Sequence, residues 1–318
     1  MKYLLIDFGA SKIQTSLYNK KLDSCDKLFK TESPFLKKST LSLSELKSLL
    51  KNIIDKYSSD NIDGIIPCTI LGGGWGLSDE IYYSWKVKDK NTFLTKGCLI
   101  SGLFFGEKNY HIHKHHDNIE GYNGLKILGN INDIPVYSSM GDTNCVKKSF
   151  TLGTQKAILN LGTGSQIIME DKTISFIPSG RALNVYKDFF NELDLDLFQY
   201  FHKLKLIDLK KSKLHFNLNI FPQALKWTKS GGFISDINED NFNLHNFISS
   251  LFKSYIDQYI NLINKYKLKK IYLTGGINEK YPLIGDYIRH KTGAITVNRT
   301  GGTGDIFVGM VNIIKEHL

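Results

Sequence analysis

The chain has 318 residues, of which 42% are hydrophobic and 12% aromatic, which is enough for substantial cores and excludes a disordered chain. Basic residues outnumber acidic ones by 41 to 31, giving a formal net charge of +10. The lysines are dispersed and the arginines are limited to Arg181, Arg289 and Arg299. Because arginine dominates base readout, the composition favours a solvated lysine surface over a nucleic-acid interface.

The cysteines and the hydrophobic runs predict a cytoplasmic location. Cys25, Cys68, Cys98 and Cys145 are far apart and form no CxxC spacing, as expected of reduced thiols. No basic segment followed by an apolar run begins the sequence, and no stretch approaches about 18 consecutive apolar residues. We therefore expect a soluble cytoplasmic protein with no membrane partner. A homodimer is compatible with the sequence.

The first elements in chain order are a hairpin, a helix and a strand. Residues 3–7 and 13–18 read as two strands around a tight turn at Gly9. Residues 42–58 carry apolar side chains at helical spacing. The apolar segment 63–71 reads as a buried strand that ends in the glycine-rich sequence GGGWG.

A carboxylate follows the next predicted strand. Residues 135–139 form this strand, which runs into Gly141 and Asp142 and then into a predicted helix. An aspartate at the end of a strand can take a proton from a substrate hydroxyl that attacks phosphorus. It can equally be the N-cap of the following helix. The spacing alone leaves both explanations open.

The second half repeats this order of elements. Residues 156–169 predict a hairpin around Gly162, Thr163 and Gly164, and residues 173–178 predict a third strand. Apolar residues at helical spacing predict a long amphipathic helix over 244–263. The remaining predicted elements are a strand over 269–276 that runs into a double glycine and a closing helix over 304–317.

The two hairpins indicate an internal duplication. When Gly9 of LLIDFGASKIQTSLY is aligned with Gly162 of ILNLGTGSQIIM, Asp7 matches Asn160. Two halves with the same order of elements predict two α/β domains, 1–152 and 153–318, with an active site in the cleft between them.

The glycine turns are candidate phosphate sites. Turns that combine glycine with a hydroxyl side chain expose backbone N–H groups, which suit phosphate oxygens. A single such turn is better explained as an ordinary glycine-rich hairpin, but two in equivalent places favour a nucleotide clamp. A magnesium nucleotide also requires a carboxylate near the metal and its waters, and Asp7 provides one where the second copy has Asn160.

Four segments together resemble a known family. IDFGAS, GDTNC, ILNLGTGSQ and IYLTGGINEKYPLIGDYIRHKTGAITV, in this order, resemble the FGGY carbohydrate kinases of the actin-like ATPase and sugar kinase superfamily, and most closely the sedoheptulokinase-like branch. The resemblance extends over most of the chain. It implies an RNase H-like fold in each half, and ATP-dependent phosphorylation of a sugar hydroxyl, with a ketose or a heptose such as sedoheptulose as acceptor.

The resemblance also implies roles for individual residues. Asp7 would organise Mg²⁺ with its waters, and Asp142 would be the catalytic base. The other implied positions bind ATP or the sugar: Gly9, Ser11 and Lys12 in the first phosphate loop; Gly162, Thr163 and Gly164 in the second; Gly275, Gly276 and Asn278 beside the adenosine; Trp75 and Gly76 on the sugar side.

The sequence departs from the family pattern at several positions. Gln14 stands where the family has Lys or Arg, Ala10 replaces a threonine, and Gly73 and Trp75 replace the Gln and His of the sugar-side motif. A packed aromatic explains Trp75 as readily as stacking on a sugar. The histidines of HIHKHH, residues 111–116, are better explained by a surface loop than by a metal site, since no Cys or acidic partner has ligand spacing.

Three functional hypotheses follow. The leading one is a Mg·ATP-dependent sugar kinase in which Asp142 deprotonates the acceptor hydroxyl. The second is a nucleotide-binding sensor or scaffold that retains the clamp and has lost the chemistry. The third is a protein that binds nucleic acid or a membrane surface through its basic face, which a steep salt dependence of binding would favour.

Overall fold

The computed structural model describes most of the chain as two compact units. The first unit comprises Met1–Thr151 and Gly302–Leu318, and the second comprises Leu152–Gly301. The active-site cleft between the two halves stays a prediction. The described residues are 1–9, 12–34, 41–69, 93–94, 125–162, 164–177, 179–220, 231–298 and 304–318.

Strands and helices alternate along both units. The strands are β1 Lys2–Phe8, β2 Lys12–Asn19, β3 Ser24–Glu32, β4 Leu41–Ser42, β5 Gly64–Thr69, β6 Phe93–Leu94, β7 Ile127–Ile131, β8 Ile134–Tyr137, β9 Met140–Gly141, β10 Lys156–Leu161, β11 Ser165–Ile168, β12 Thr173–Ile177, β13 His215–Asn217, β14 Phe233–Ser235, β15 Lys270–Thr274 and β16 Ile295–Asn298. The helices are α1 Leu43–Asp55, α2 Asp142–Lys148, α3 Gly180–Asn191, α4 Leu197–Lys203, α5 Leu206–Lys211, α6 Leu244–Lys265, α7 Gly276–Lys280, α8 Leu283–Thr292 and α9 Asp305–His317.

The two main sheets share a five-strand topology, to which the first sheet adds β7 and β9. In the first unit the strand order is β3-β2-β1-β5-β8-β7, with β9 beside β5, and in the second it is β12-β11-β10-β15-β16. In the first unit β1, β2 and β3 are antiparallel neighbours, β5 runs parallel to β1, and β8 runs parallel to β5. The second unit has the same arrangement, with β10, β11 and β12 antiparallel, β15 parallel to β10, and β16 parallel to β15. Each unit is therefore an RNase H-like sheet, and the predicted duplication is confirmed.

Burial explains why the central strands are so apolar. Every residue of β5 is buried, as are six of the seven residues of β1. A strand covered on both faces reads as a continuous apolar run. One face of the first sheet packs on α1 and the other on α9, and in the second unit α6 supplies eight residues to the hydrophobic core.

Most elements predicted from the sequence are confirmed. Both hairpins form, the segment 42–58 contains α1, and the long and closing helices are α6 and α9. The strand predicted over 135–139 ends earlier, at Tyr137, and the short strand β9 follows after Ser138 and Ser139. The sequence patterns did not predict β3, α3 or α8 as separate elements.

The last helix belongs to the first unit, although the predicted range 153–318 assigned it to the second half. Phe307, Met310 and Ile314 of α9 are buried in one cluster with Leu5 of β1 and with Cys145 of α2. A side chain at Gly309 would overlap the carbonyl oxygen of Cys145. The two helices therefore pack with their backbones in close contact, and this contact fixes the position of α2.

Candidate active site

Asp7 is a buried carboxylate near the end of β1. Asp7 is only 5% exposed, and in the sheet it pairs with Gln14 of β2 and with Cys68 of β5. Gln14 Nε2 donates a hydrogen bond of 3.5 Å to Asp7 Oδ2. Burial, and to a smaller extent the nearby charge of Asp142, raise the pKa of Asp7 to about 7 against the opposing effect of the Gln14 hydrogen bond.

The strand register brings Asp142 to the same edge of the sheet as Asp7. Asp7 pairs with Cys68 across β1 and β5, and Cys68 pairs with Met140 across β5 and β9. All three strands run parallel, and Asp142 follows directly after β9. Ligands in open α/β sheets bind outside the carboxyl ends of parallel strands, which is where both carboxylates lie.

Asp142 does not cap the helix that it begins. The N-cap of α2 is Gly141, with extended backbone angles (φ −75°, ψ 136°) and no side-chain capping bond. Asp142 Oδ1 accepts hydrogen bonds from the Thr143 N–H at 2.6 Å and from Thr143 Oγ1 at 3.2 Å. An N-cap side chain bonds two or three residues ahead, so the N-cap explanation of Asp142 is wrong.

The environment of Asp142 suits a proton acceptor. Burial raises the pKa of Asp142 to about 6 against the opposing effect of the two hydrogen bonds from Thr143. Both bonds go to Oδ1, and no described residue donates to Oδ2. The group is therefore mostly ionised at pH 7 and can accept a proton.

The first glycine turn is described only in part. Gly9 follows β1, and a Cβ at this position would lie 2.6 Å from the backbone oxygen of Lys12. Only glycine allows the backbone to close so tightly on the start of β2. Lys12 begins β2 and is exposed, and Ser11 lies outside the described residues.

The second glycine turn is tied to the start of a helix. The Gly162 N–H donates to the Gly164 oxygen at 3.2 Å, closing the loop between β10 and β11. The N–H of Gly180, the first residue of α3, donates to the Gly162 oxygen at 3.1 Å. Thr163 lies outside the described residues. Gly162, directly after β10, is thus bonded both to Gly164 and to the first residue of α3.

Gly275 brings the end of β15 against the end of β10. Its φ is +94°, and a Cβ there would overlap the Leu161 oxygen and lie 2.8 Å from Asn160 Oδ1. Gly276 begins α7, where Asn278 is buried. These residues therefore lie beside the second glycine turn.

Asn278 has one hydrogen-bonding group in use and one without a partner. Its Nδ2 donates to Asn298 Oδ1 at 3.3 Å, whereas its buried Oδ1 accepts from none of the described residues. A buried unpaired oxygen is costly, so this position suits a donor group of a ligand or a water.

The structure therefore groups the predicted site residues by unit. At the edge of the first sheet it brings together Asp7, Gly9, Lys12 and Asp142, and at the equivalent edge of the second sheet Gly162, Gly164, Gly275, Gly276 and Asn278. Of the predicted sugar-side residues, Trp75 and Gly76 lie outside the described part of the chain.

Two contacts of the site were missed in the sequence. Gln14 was identified only as a departure from the family pattern, yet it contacts Asp7, and Thr143 binds Asp142. In the second unit Gln166 lies opposite Asn160 as Gln14 lies opposite Asp7. The first hairpin has one residue more between its paired positions than the second. An alignment of the two sequences therefore does not match Gln14 with Gln166, whereas the strand register does.

The described residues contain neither a metal-binding cluster of side chains nor a helix that could span a membrane. Within the ranges given above, no group of three or more His, Cys, Asp or Glu side chains is arranged to hold a metal ion. The helices described there are all too short or too polar to span a bilayer. The histidines of residues 111–116 lie outside these ranges.

Comparison with known proteins identifies the fold. No protein-family model and no curated protein matches the sequence. Among solved structures, xylulose kinase from Lactobacillus acidophilus is similar with a TM-score of 0.63 and 10% identity, over 99% of this chain and 89% of that chain. Xylulose kinase from Rhodospirillum rubrum gives a TM-score of 0.60 and 8% identity, over 100% and 92%.

A third similar structure is glycerol kinase from Plasmodium falciparum with ADP, with a TM-score of 0.57 and 10% identity over 99% of this chain and 89% of that chain. Likeness at such low identity is evidence for the fold alone. Together with the repeated strand order in the two units, it shows that this chain has the α/β fold of these solved kinases.

Proposed function

We propose that the protein is an ATP-dependent carbohydrate kinase that transfers the γ-phosphoryl group of ATP to a sugar hydroxyl. The observation that carries this proposal is the pair Asp7 and Asp142 at the carboxyl edge of one sheet, near enough that the charge of one raises the pKa of the other. Phosphoryl transfer requires a metal-organising carboxylate and a base close together. The sugar-kinase fold supports the same conclusion.

Asp142 is the proposed base. Its carboxylate accepts the proton of the acceptor hydroxyl while that oxygen attacks phosphorus. The bonds from Thr143 to Oδ1 hold the carboxylate in one orientation. A base whose pKa is raised to about 6 remains ionised at neutral pH and binds a proton more tightly than an ordinary aspartate.

The donor set at Asp7 fits Mg²⁺. Two desolvated carboxylates close together are costly when both are charged, and a hard cation with its waters would relieve that repulsion. Asp7 would hold the cation through its waters. When bound, Mg²⁺ supplies positive charge to the phosphate oxygens.

The glycine turns are the proposed nucleotide contacts. The backbone N–H groups near Gly9 and Gly162 would bind phosphate oxygens, and the exposed Lys12 would supply a positive charge that Gln14 lacks. The tight packing at Gly275 supports an approach of backbone to the adenosine, with Asn278 Oδ1 as a hydrogen-bond acceptor.

The finer assignments extend the same proposal. Membership of the FGGY family, in its sedoheptulokinase-like branch, rests on the four segments quoted above and favours a ketose or heptose as acceptor. Trp75 and Gly76 are the proposed sugar contacts. A cytoplasmic location, a small-molecule partner and a homodimer remain part of the proposal.

One contact favours a second candidate, a nucleotide-binding protein without kinase activity. Gln14 occupies the position of a family cation, and its amide donates to Asp7, the residue proposed to organise the metal. A neutral amide cannot replace the charge of Lys or Arg on a phosphate. Binding of Mg·ATP with no ADP release for any sugar would favour this candidate.

The test is an Asp142→Asn variant, assayed for ADP release with ketoses, aldoses, polyols and heptoses. Asn has the same size but cannot take a proton, so turnover should fall by roughly 10² to 10⁴. ATP affinity should be retained, and the melting temperature should not fall, because a neutral amide costs less to bury than this carboxylate. Asp55→Asn, at an exposed position of α1, is the matched control and should keep full activity. Full turnover in folded Asp142→Asn protein would contradict the mechanism.

A further inference from the structure

Two buried thiols lie next to the proposed catalytic carboxylates. Cys68 Sγ and Cys145 Sγ are 3.9 Å apart, and Cys145 Sγ is 3.8 Å from Met140 Sδ. Both cysteines are fully buried, and both are free. Neither has a role in the proposed phosphoryl transfer. An ordinary apolar core would fill this place equally well without placing two oxidisable groups in contact.

The thiols belong to the two elements that position the carboxylates. Cys68 pairs with Asp7 in the strand register, and Cys145 lies three residues after Asp142 on α2. The hydrogen bond with Cys145 and burial raise the pKa of Cys68, and the charges of Asp7 and Asp142 add to this rise. The sulfur pair and the carboxylates are thus electrostatic neighbours.

We propose that Cys68 and Cys145 are a site of reversible oxidation, at which a disulfide between them disables the carboxylate pair. A hydroperoxide such as hydrogen peroxide is the oxidant. One thiolate attacks the peroxide, giving a sulfenic acid and water, and the second thiol displaces a second water as the S–S bond forms. The two sulfurs together lose two electrons and two protons. A small thiol reverses the reaction by exchange.

Closing the bond changes the geometry of the site. An S–S bond is about 2.05 Å long, so the two sulfurs must approach each other by nearly 2 Å. The backbone of Cys145 is packed against Gly309 of α9, which limits how far it can move with its sulfur. The strain therefore falls on α2 and β5, the elements that orient Asp142 and Asp7. Misplacement of a catalytic group by about 1 Å can lower turnover by roughly 10²-fold.

Burial determines the rate of oxidation. A buried thiol with a raised pKa reacts slowly because the thiolate is the reactive form. Access requires opening of α2, which has only seven residues. Cys25 is half-buried and should be oxidised earlier in the wild-type chain, so the experiment on the pair requires its removal.

The experiment uses the full chain with Cys25→Ser and Cys98→Ser, so that only the two proposed thiols remain. After peroxide treatment, intact mass should show the loss of two hydrogens, and digestion should give a linked Cys68–Cys145 peptide. Hydrogen exchange of α2 should change in the oxidised form. Turnover should fall by roughly 10²-fold and return with dithiothreitol. Cys68→Ser in the same background should keep its turnover under peroxide.

The linked peptide and the hydrogen exchange test the oxidation site by itself. Only the turnover measurement also rests on the proposed function. No linked peptide after prolonged oxidation, or equal inactivation of the Cys68→Ser variant, would overturn the inference. A disulfide that leaves both hydrogen exchange and turnover unchanged would also overturn it. A linked peptide with altered exchange, in a protein that has no kinase activity when reduced, would refute the proposed function while supporting the oxidation site.

Discussion

Replacing Gly309 by alanine tests the packing of α9 on α2 directly. The added Cβ would overlap the carbonyl oxygen of Cys145 and lie 2.7 Å from its Cα. Both are backbone atoms, which cannot rotate away as the end of a side chain can. The helices must therefore separate, or the backbone of α2 must shift with the carboxylate that it carries.

Two effects of opposite sign determine the size of the change. Alanine favours a helix interior over glycine by about 1 kcal/mol. Overpacking costs about 1 to 3 kcal/mol, and more when the backbone must move. Because the contact is with backbone, the overpacking cost should win, leaving Gly309→Ala less stable by about 1 to 3 kcal/mol.

Gly285→Ala is the matched control, because Gly285 also lies inside a helix, α8. Its added Cβ would crowd Leu273 Cδ1 at 2.9 Å, the flexible end of a side chain, and would meet Thr296 Oγ1 and Asn298 Oδ1 at ordinary contact distances of 3.5 and 3.6 Å. The free energy of unfolding should therefore change by less than about 1 kcal/mol. Urea unfolding and calorimetry of the three proteins give the comparison. A Gly309→Ala variant as stable as the Gly285→Ala variant would refute the close packing of α9.

Two further predictions concern the site. The pKa of Asp7 is raised from 3.8 to about 7 in the folded protein. The contribution of protonated Asp7 to the free energy of unfolding is therefore fully present below about pH 4, and it is lost as the pH rises through 7. Without metal, Asp7→Asn should match the wild type at pH 4 and exceed it by up to about 4 kcal/mol at pH 8, and a constant difference in urea unfolding would contradict this. Gly275→Ala should lose about 1 to 3 kcal/mol, because its φ of +94° disfavours a side chain and its Cβ would overlap Leu161. Gly276→Ala, whose Cβ meets no atom within 4 Å, should melt close to the wild type.

Local patterns predicted the elements and much of the site. Apolar runs broken by glycine defined both hairpins, and the alignment of Asp7 with Asn160 agrees with their places in the two sheets, opposite Gln14 and Gln166. These features depend on residues close together in the chain, and for that reason they can be read from the sequence.

Other features depend on contacts that periodicity does not encode. The sequence predicted α9 as a closing helix, but it does not say which sheet that helix covers. The N-cap of α2 could not be assigned either, because Gly141 and Asp142 are both acceptable caps and only the backbone angles separate them. The bond from Gln14 to Asp7 depends on the length of the first hairpin loop, which fixes the cross-strand pair.

The position of α9 also affects the order of folding during synthesis. The second unit is one continuous stretch, whereas the first is completed only by residues that are translated after it. Lys20 Nζ, for example, donates to the backbone oxygen of Leu318 at 2.9 Å. Domains usually fold as they leave the ribosome, the N-terminal one first. Here the sheet that carries Asp7 and Asp142 keeps one apolar face uncovered until the second unit has been made, so the proposed catalytic carboxylates reach their final places last.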